Sequence, residues 1–424
     1  MEFMMTTNTQ VLLVGAYERE NFGDLLFLLR TRDYMINAQT TAVAPFSGDM
    51  METLGQNIPA FAETVRDKAF DAIWVVGGEV GGTTVADAYR MSAAEDDYEK
   101  FLALSPKARI AELERVSGMT VAASPYLPRP SSRVSTMGSN LVVNSVGLSG
   151  MRNLFGSRRD ETWGAIQEAS YVSVRDKESS DVLTKNSIQH ELAPDLVHSY
   201  GLTVDHFGPR DSDVALIQVK AKVLASLGAE EFAATLAKSK QLENFRLRLF
   251  SAGNARGHDS IELYEEVALH FNRIAPNRSI EVSRTLMPLE KLREIATCGL
   301  WVGTSLHGLI ISSSFDTPRV ALELDKLVRY ATTWQETMPV GVAMSDVDAA
   351  IESALLESPR SIASGRAMEL AEMADRSAKL AASAALEQRP RGPLVSERAA
   401  VSESIMRRRR SLPNRIHQVL RPLG

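Results

Sequence analysis

Short apolar runs alternate with longer segments whose apolar residues recur at helical spacing along most of the chain. The first run, VLLVG at 11–15, is continuous, and such a run suits a strand buried on both faces of a parallel sheet. A polar loop follows it, and then an apolar segment of helical pattern, LLFLLRTRDYM at 25–35. Because strand and helix patterns alternate in this way over some 200 residues, the chain is predicted to be α/β and doubly wound.

The other predicted elements repeat this alternation in two series. The first series has strands at 40–45, 71–76, 116–127, 140–148 and 171–175, and helices at 61–70, 161–169 and 176–186, with a polar helical region at 86–117. The second series has strands at 213–220, 245–253, 279–286, 299–305 and 317–324, and helices at 230–242, 260–275, 288–298 and 306–315. The two series predict two similar Rossmann-type domains that face each other.

Changes in composition mark the predicted boundaries. The polar stretch HFGPRDSD at 206–213 is the best linker candidate, so we predict an N-terminal domain over 1–207 and a C-terminal domain over 208–344. Large apolar residues become sparse after Met344. We expect a helical extension over 345–390, followed by a basic, partly disordered tail over 391–424.

Composition and charge narrow the possible partners. The chain has 44% apolar and 24% charged residues and a net charge of −6, which excludes a disordered chain and gives no electrostatic footprint for nucleic acid. The tail alone holds eight Arg and two Glu. Peripheral contact with an anionic inner membrane surface and a solvated tail both remain open for it. The start of the chain lacks signal-peptide features, and the protein is predicted to be cytoplasmic.

Two glycine-containing turns follow predicted strands of the first domain. Ligands of open α/β sheets bind outside the carboxyl ends of the strands. In GAYERENFGD at 15–24, Asn21 can present an amide, Gly23 allows close approach to the backbone, and Asp24 can orient a substrate hydroxyl. A helix cap is the alternative for this turn. The second turn contains Gly77, Gly78 and Glu79, and predicts either an anion-binding nest of amides or a flexible turn.

Cationic and titratable candidates follow later strands. Arg175 ends a strand and suits a carboxylate or phosphate, although a surface ion pair with Asp176 is equally open. Thr304, Ser305 and His307 lie in GTSLHGL at a predicted helix N-terminus, where the helix dipole favours an anion. His307 can shuttle a proton there, and a structural histidine is the alternative.

Lys326 follows the last predicted strand in the segment ELDK. It can hold a phosphate, or it belongs to an ordinary charged loop. The histidines show no metal-ligand spacing, and neither a P-loop nor a G-x-S-x-G elbow is present. We therefore predict no metal and no resident cofactor.

Taken in order, the motifs of the chain resemble those of the polysaccharide pyruvyl transferase family. The matching segments are NFGD (21–24), VVGG (75–78), VSVRDKESSDVL (172–183), APDLV (193–197), GTSLHGLIISSSFDTPRVAL (303–322) and LDK (324–326). The resemblance spans roughly residues 11–330, and its last long segment is the most specific. It implies a transferase whose fold is similar to that of GT-B glycosyltransferases, with two Rossmann-like domains and a cleft between them.

The resemblance also implies an activity. Family enzymes move the pyruvyl group of phosphoenolpyruvate, their co-substrate, onto a sugar as a pyruvate ketal. We expect the acceptor to be a sugar of a cell-surface polysaccharide or of its lipid-linked precursor. By this likeness the donor side comprises Arg175, Thr304, Ser305 and Lys326, with His307 as the general acid. The acceptor or cleft side is expected to comprise Asn21, Gly23, Asp24, Gly77, Gly78 and Glu79.

Two positions depart from the family pattern. Ser305 stands where several members have Arg, and Glu79 stands where a third Gly is common. Two other functions therefore remain open: a GT-B glycosyltransferase that uses a nucleotide sugar, and a catalytically degenerate, glycan-binding member of the family.

Overall fold

The computed structural model describes residues 9–206, 210–357 and 365–387, and its strands form two six-stranded parallel sheets and one short hairpin. The strands of the first half are β1 (Gln10–Val14), β2 (Gln39–Val43), β3 (Gly48–Met50), β4 (Gln56–Ile58), β5 (Ala72–Val76), β6 (Asn140–Val146), β7 (Ala169–Val174) and β8 (Glu191–Leu192). Its α-helices are α1 (Phe22–Tyr34), α2 (Met51–Leu54), α3 (Phe61–Asp67), α4 (Val85–Ser92), α5 (Glu95–Ala103), α6 (Pro106–Ser117), α7 (Gly156–Glu168) and α8 (Lys177–Lys185).

The second half repeats this architecture. Its strands are β9 (Asp211–Gln218), β10 (Arg246–Leu249), β11 (Ile280–Val282), β12 (Cys298–Gly303), β13 (Arg319–Leu322) and β14 (Val340–Val342). Its helices are α9 (Ala221–Leu227), α10 (Ala229–Lys238), α11 (Ile261–Ile274), α12 (Pro288–Thr297), α13 (Leu306–Ser314), α14 (Asp325–Thr333), α15 (Val347–Glu357) and α16 (Gly365–Leu386). Turns of 3₁₀-helix lie at Pro130–Ser132, Val134–Thr136, Ser149–Asn153, Leu196–His206 and Met344–Asp346.

The order of the strands places a topological switch point in each sheet. The first sheet runs β2-β1-β5-β6-β7-β8, so the order reverses between β1 and β5. The second runs β11-β10-β9-β12-β13-β14, so it reverses between β9 and β12. The loops that follow the strands on either side of such a point separate and leave a crevice for a ligand.

The buried strands explain why this arrangement forms. All five residues of β5 are buried, as expected for a central parallel strand covered by helices on both faces. One apolar cluster contains Leu13 and Trp74 of the first sheet, Trp301 of the second and Leu370 of α16. The two halves therefore share a core, and separate clusters fill the outer face of each sheet.

The helical extension packs on both halves. Val347, Ile351 and Ala354 of α15 join the outer core of the second sheet. The buried face of α16 consists mainly of alanines, which let the helix approach the first sheet closely. On that sheet Asn140 Nδ2 donates to the backbone oxygen of Ala384, at 3.2 Å. The predicted tail over 391–424 lies outside the described residues.

The structure corrects some of the predicted elements. The strand predicted over 116–127 is wrong, because α6 ends at Gly118 with a left-handed φ of 61° and turns follow. Tyr126 and Leu127 are buried there as loop residues, which explains the apolar pattern. The strand predicted from Asp213 begins at Asp211, and the short strands β3, β4, β8 and β14 were not predicted. The first sheet ends at Leu192 and the second at Val342, while the domain boundaries at 207 and 344 stay predictions.

Candidate active site

A cavity of about 280 Å³ lies between the carboxyl ends of the two sheets, at both switch points. Loops from both halves form its wall. Its polar and charged lining comprises Tyr17, Arg19, Asn21, Asp24, Glu79, Thr83, Tyr126 and Arg175 from the first half and Gln218, Lys220, His258, Asp259, Ser305, His307 and Lys326 from the second. This is the place where the fold favours a ligand.

The loop after β1 brings Asn21 and Asp24 to the cavity. Asn21 precedes α1 in extended conformation, and its Nδ2 donates to Asp24 Oδ2 at 2.8 Å. Asp24 lies in the first turn of α1 and is buried. Neither side chain caps the helix, since the Asn21 position has no side-chain capping hydrogen bond. Burial raises the pKa of Asp24, against the opposing effect of Arg19, Arg175 and Lys326.

Gly23 does not line the cavity but fixes its geometry. A Cβ atom at this position would lie 1.8 Å from Nδ1 of His307, so the imidazole packs directly on the backbone of α1. Any larger residue would displace the ring. A group does approach the backbone closely at Gly23, as the sequence predicted, but that group is the side chain of His307 from the second half.

Arg19 belongs to the same loop and was not predicted. Its Nη1 donates to Glu18 Oε1 at 2.9 Å and to the Tyr126 hydroxyl at 2.5 Å. The Tyr126 hydroxyl in turn donates to Glu18 Oε1 at 2.8 Å. The Nη2 atom lies 3.6 Å from Asp24 Oδ2. This buried network fixes a cation beside Asp24, and its partner Tyr126 comes from a loop more than 100 residues away in the sequence.

The turn after β5 contains Gly77, Gly78 and Glu79. A Cβ atom on Gly77, which has a φ of 62°, would lie 2.0 Å from the ring of Phe27, so only glycine fits there. Glu79 turns its carboxylate towards the segment after β6, where Oε1 accepts from the Gly150 amide at 3.1 Å and Oε2 from the Ser149 hydroxyl at 3.2 Å. Both carboxylate oxygens of Glu79 therefore have protein donors.

Arg175 follows β7 and is buried in the wall of the cavity. Its Nη1 donates to Oδ2 of the fully buried Asp195 at 2.7 Å. Asp176, the alternative partner, instead caps α8 by accepting from the Ser179 amide at 2.8 Å. The pair is therefore a buried one that orients the guanidinium, and not an ion pair on the surface.

Tyr330 of α14 and Trp334, which directly follows that helix, support this pair from the second half. The Asp195 amide donates to the Tyr330 hydroxyl at 3.1 Å, and the Trp334 indole donates to the backbone oxygen of Arg175 at 2.9 Å. The same helix carries Lys326 in its first turn. One helix therefore positions cations from both halves of the molecule.

Thr304 lies behind the cavity wall rather than in it. Its amide donates to Gln218 Oε1 at 2.9 Å, and its hydroxyl accepts from the Lys220 amide at 3.0 Å. Gln218 Nε2 donates to Asp259 Oδ1 at 2.8 Å. These bonds join the loops after β9, β10 and β12. Burial raises the pKa of Asp259 to about 6, although its hydrogen bonds lower it in part.

His307 is the most unusual side chain of the site. Ser305 caps α13 by accepting from the Gly308 amide at 3.2 Å, and His307 follows in the first turn. Its ring packs edge-on against Phe27 with a centroid distance of 5.1 Å. The Nε2 atom is buried and finds no hydrogen-bond partner among the described residues. Burial, Arg175, Lys326 and His258 lower the pKa of His307 well below its usual value.

The remaining cations come from the second half. Burial and the neighbouring Lys220 and Arg175 lower the pKa of Lys326 to about 7. Burial and nearby cations lower the pKa of His258 to about 3, so that imidazole is neutral near pH 7. Lys220 and His258 were not predicted as site residues. Besides burial, nearby cations therefore lower the pKa values of Lys326, His258 and His307, and an anionic ligand would oppose that effect.

Most of the predicted site residues meet in this one cavity. Those lining it are Asn21, Asp24, Gly77, Gly78, Glu79, Arg175, Ser305, His307 and Lys326, whereas Gly23 and Thr304 support it from behind. Within the residues that the structure describes, no group of three or more His, Cys, Asp or Glu side chains is placed to hold a metal ion. Their roles in binding and catalysis stay predictions.

Solved structures share this fold. UDP-GlcNAc 2-epimerase from Methanocaldococcus jannaschii matches with a TM-score of 0.50 and 11% identity, over 88% of this chain and 99% of its own. UDP-N-acetylglucosamine 2-epimerase from Rickettsia bellii matches with a TM-score of 0.50 and 10% identity, over 96% of this chain and 99% of its own. The prediction of a GT-B-like α/β fold is confirmed. At this identity the likeness concerns the fold alone.

The family model for polysaccharide pyruvyl transferase matches residues 137–326. The family recognised from the motifs is therefore confirmed over that range, and with it the expectation of a transferase. The range includes Arg175, Ser305, His307 and Lys326, but not the loops after β1 and β5. No curated protein matches the chain by sequence. None of the described helices is both long and apolar enough to cross a membrane.

Proposed function

We propose that the chain transfers the pyruvyl group of phosphoenolpyruvate to a sugar of a cell-surface polysaccharide or of its lipid-linked precursor, and forms a pyruvate ketal. The observation that supports this most is the unpartnered Nε2 of His307, buried beside a cavity that four cationic side chains line: Arg19, Arg175, Lys220 and Lys326. A proton-transfer group among cations suits a small, strongly anionic donor.

The charges and the size of the cavity both favour this donor. Phosphoenolpyruvate carries a carboxylate and a phosphate. The forked guanidinium of Arg175, held on one side by Asp195, suits the carboxylate, and Lys326 and Lys220 suit the phosphate. The cavity of about 280 Å³ lies just below the roughly 300–1,000 Å³ usual for ligand pockets. That volume favours a compact donor over a nucleotide sugar.

The proposed reaction balances in protons and bonds. His307 Nε2 delivers a proton to the methylene carbon of the donor, which becomes the methyl group. Two hydroxyl oxygens of the sugar bond to the adjacent carbon, and the bond from that carbon to the phosphate oxygen breaks. Of the two protons that the hydroxyls lose, one restores the proton given to the methyl group and the other leaves with inorganic phosphate.

The charge state of His307 couples catalysis to donor binding. The pKa of His307 lies well below its usual value, so the imidazole is neutral and is not by itself an acid near pH 7. The phosphate and carboxylate of the donor would offset Arg175 and Lys326 and raise this pKa. The general acid is therefore formed only when the donor is bound.

The test separates binding from chemistry. Calorimetry would measure phosphoenolpyruvate and UDP-GlcNAc binding to the wild type, His307→Ala and Lys326→Met, and proton NMR would detect a ketal methyl group on sugars incubated with the donor. His270→Ala, on the half-buried side of α11, is the matched control. We expect Lys326→Met to weaken donor binding at least about tenfold, the loss of one charge-assisted contact. His307→Ala should keep donor binding and lose the ketal.

Two results would contradict the proposal. Binding of UDP-GlcNAc without binding of phosphoenolpyruvate would favour a nucleotide-sugar glycosyltransferase. Binding of sugars with neither donor, by a folded protein, would favour a degenerate, glycan-binding member of the family.

A further inference from the structure

Ketal formation removes protons from two hydroxyls, and His307 accounts only for the proton that enters the methyl group. On the basis of the proposed function, we propose that Asp24 is the catalytic base that accepts a proton from the acceptor hydroxyl. Asp24 lines the cavity from the first half of the molecule, whereas His307 lines it from the second.

The hydrogen bonds of the carboxylates in the cavity distinguish Asp24 from the others. Asp259 accepts from Gln218 through Oδ1 and from the Ala252 amide through Oδ2, at 2.8 and 2.7 Å. Glu79 likewise has a donor on each oxygen, Gly150 on Oε1 and Ser149 on Oε2. Both contacts of Asp24, with Asn21 and Arg19, use Oδ2. Oδ1 is the carboxylate oxygen that this arrangement leaves to a ligand.

The backbone fixes Asp24 close to the proposed acid. Gly23 lies against the imidazole of His307, and Asp24 is the next residue of the same helical turn. Asn21 and Arg19 hold the carboxylate through Oδ2, and both Asp24 and His307 line the cavity. A donor carbon bound between them has an acid from the second half and a base from the first.

The cations beside Asp24 favour its ionised form, although burial, the largest effect, raises the pKa of Asp24 on balance. Arg19 Nη2 lies 3.6 Å from Oδ2, and Glu18 and Tyr126 hold that guanidinium in place. The first turn of α1, a helix of 13 residues, also favours a negative charge. Arg175 and Lys326 act on Asp24 in the same direction as Arg19, whereas burial and Asp195 oppose them.

The O–H bond of one acceptor hydroxyl breaks, its proton passes to Asp24 Oδ1, and the oxygen electron pair forms the bond to the donor carbon. His307 has by then delivered its proton to the methylene carbon. The second hydroxyl forms the second bond to that carbon as the phosphate leaves with its electron pair and a proton. Asp24 then gives its proton to solvent and His307 takes one up from solvent, so that both groups return to their starting states and the net proton lost by the first hydroxyl replaces the one given to the methyl group.

The experiment follows phosphate release from phosphoenolpyruvate with molar glycerol as a surrogate diol, and measures donor binding by calorimetry on the same proteins. The variants are Asp24→Asn and Asp24→Glu. Asp33→Asn is the matched control, because Asp33 lies on α1 at the surface and pairs with Arg30. We expect Asp24→Asn to lower turnover by about 10²- to 10⁴-fold, the usual range for general-base catalysis, with donor affinity kept within a few-fold.

The pH profile separates a base from a merely structural carboxylate. The wild type should lose turnover as pH falls through the pKa of Asp24, and this acid limb should be absent in Asp24→Asn. Asp24→Glu, which keeps a carboxylate, should restore turnover at least about tenfold over Asp24→Asn. Arg19→Lys keeps Asp24 but removes the guanidinium that lies 3.6 Å from its Oδ2. This change should shift the loss of turnover at low pH to higher pH.

The outcomes distinguish this inference from the function on which it rests. Turnover of Asp24→Asn above a tenth of wild type, or an unchanged acid limb in that variant, would overturn the assignment of Asp24 and leave the proposed function standing. If Asp24→Asn fails to fold, an unchanged acid limb in Arg19→Lys would overturn it instead. A wild type that neither binds phosphoenolpyruvate nor releases phosphate would overturn both.

Discussion

The two sheets share a doubly wound plan but contribute different chemistry to the cavity between them. The loops after β1, β5 and β7 supply Asp24, a glycine turn, Glu79 and two cations, Arg19 and Arg175. The loops of the second half supply Lys220, Lys326, Asp259 and the imidazoles of His258 and His307. Cations thus lie on both walls, whereas the proposed base Asp24 lies on one wall and the proposed acid His307 on the other, and a ligand that spans the cavity contacts both.

A ligand can contact both walls only while the two halves keep their relative position. On one side of the cavity, Lys291 Nζ contacts Glu20 Oε1 at 2.8 Å and the Phe22 amide donates to the backbone oxygen of Ala252 at 3.0 Å. On the other side, Tyr330 and Trp334 hold the backbone around Arg175 and Asp195. Two kinds of substitution therefore test the roles of the two walls: one removes a wall residue, and the other weakens the contacts that align the walls.

The largest effect is expected from Arg175→Met. This change leaves Asp195 buried without its charge partner, and breaking such a pair costs about 3–5 kcal/mol of the free energy of unfolding. Urea unfolding measures the loss. Adding Asp195→Asn should recover most of the stability but not phosphoenolpyruvate binding. Recovery of both by the double variant would contradict a donor-binding role for Arg175.

Gly23→Ala should remove activity without removing any functional group. The added Cβ would lie 1.8 Å from His307 Nδ1, so the ring must move. A displacement of about 1 Å costs on the order of 100-fold in turnover, which phosphate release would measure. Gly365→Ala is the control, because its Cβ would meet nothing within 4 Å. Wild-type turnover by a folded Gly23→Ala would show that the position of His307 is unimportant.

A smaller effect is expected from Tyr330→Phe. The change removes the hydroxyl that accepts from the Asp195 amide and contacts His198 Nε2 at 3.0 Å. Leaving buried polar groups unpaired costs about 1–3 kcal/mol. Thermal unfolding measures this loss, and calorimetry should show donor affinity reduced a few-fold, since Arg175 is held less firmly. An unchanged affinity would limit α14 to a role in stability.

The smallest expected effect is the uptake of protons when the donor binds. The pKa of Lys326 is about 7, so at pH 8 the amine is mostly neutral. A bound phosphate raises this pKa, so Lys326 should take up close to one proton on donor binding at pH 8 and little at pH 6, in addition to the proton that His307 takes up. Calorimetry in buffers of different ionisation enthalpy measures the uptake. Lys326→Met should abolish this pH 8 component, and its persistence would assign it to another group.

The sequence predicted those parts of the site that local pattern controls. Asn21, Arg175 and His307 each lie in the segment that follows an apolar strand, and parallel strands bring their carboxyl ends to one edge of the sheet. Lys220 follows β9 in the same way, so the same pattern marks it as a site residue. His258 has no metal-ligand spacing, but its segment follows β10 and reaches the same edge.

The remaining features depend on contacts between distant residues. The link from Arg19 to Tyr126 joins two irregular segments, and the sequence predicted a strand at Tyr126 because burial in a loop gives the same apolar pattern. The placement of Thr304 behind the cavity depends on the hydrogen bonds of Gln218, a residue of β9. The fold of each half follows from periodicity, whereas the pairing of the two walls follows from how the halves dock.

The most direct test of the central claim is the structure of the complex with phosphoenolpyruvate. The account predicts the donor in the cavity between the sheets, with its carboxylate on Arg175 and its phosphate beside Lys326. The methylene carbon should lie about 3–3.5 Å from His307 Nε2, the separation of a reactive approach. A donor bound elsewhere, or a methylene carbon turned away from His307 with the phosphate in its place, would contradict the account.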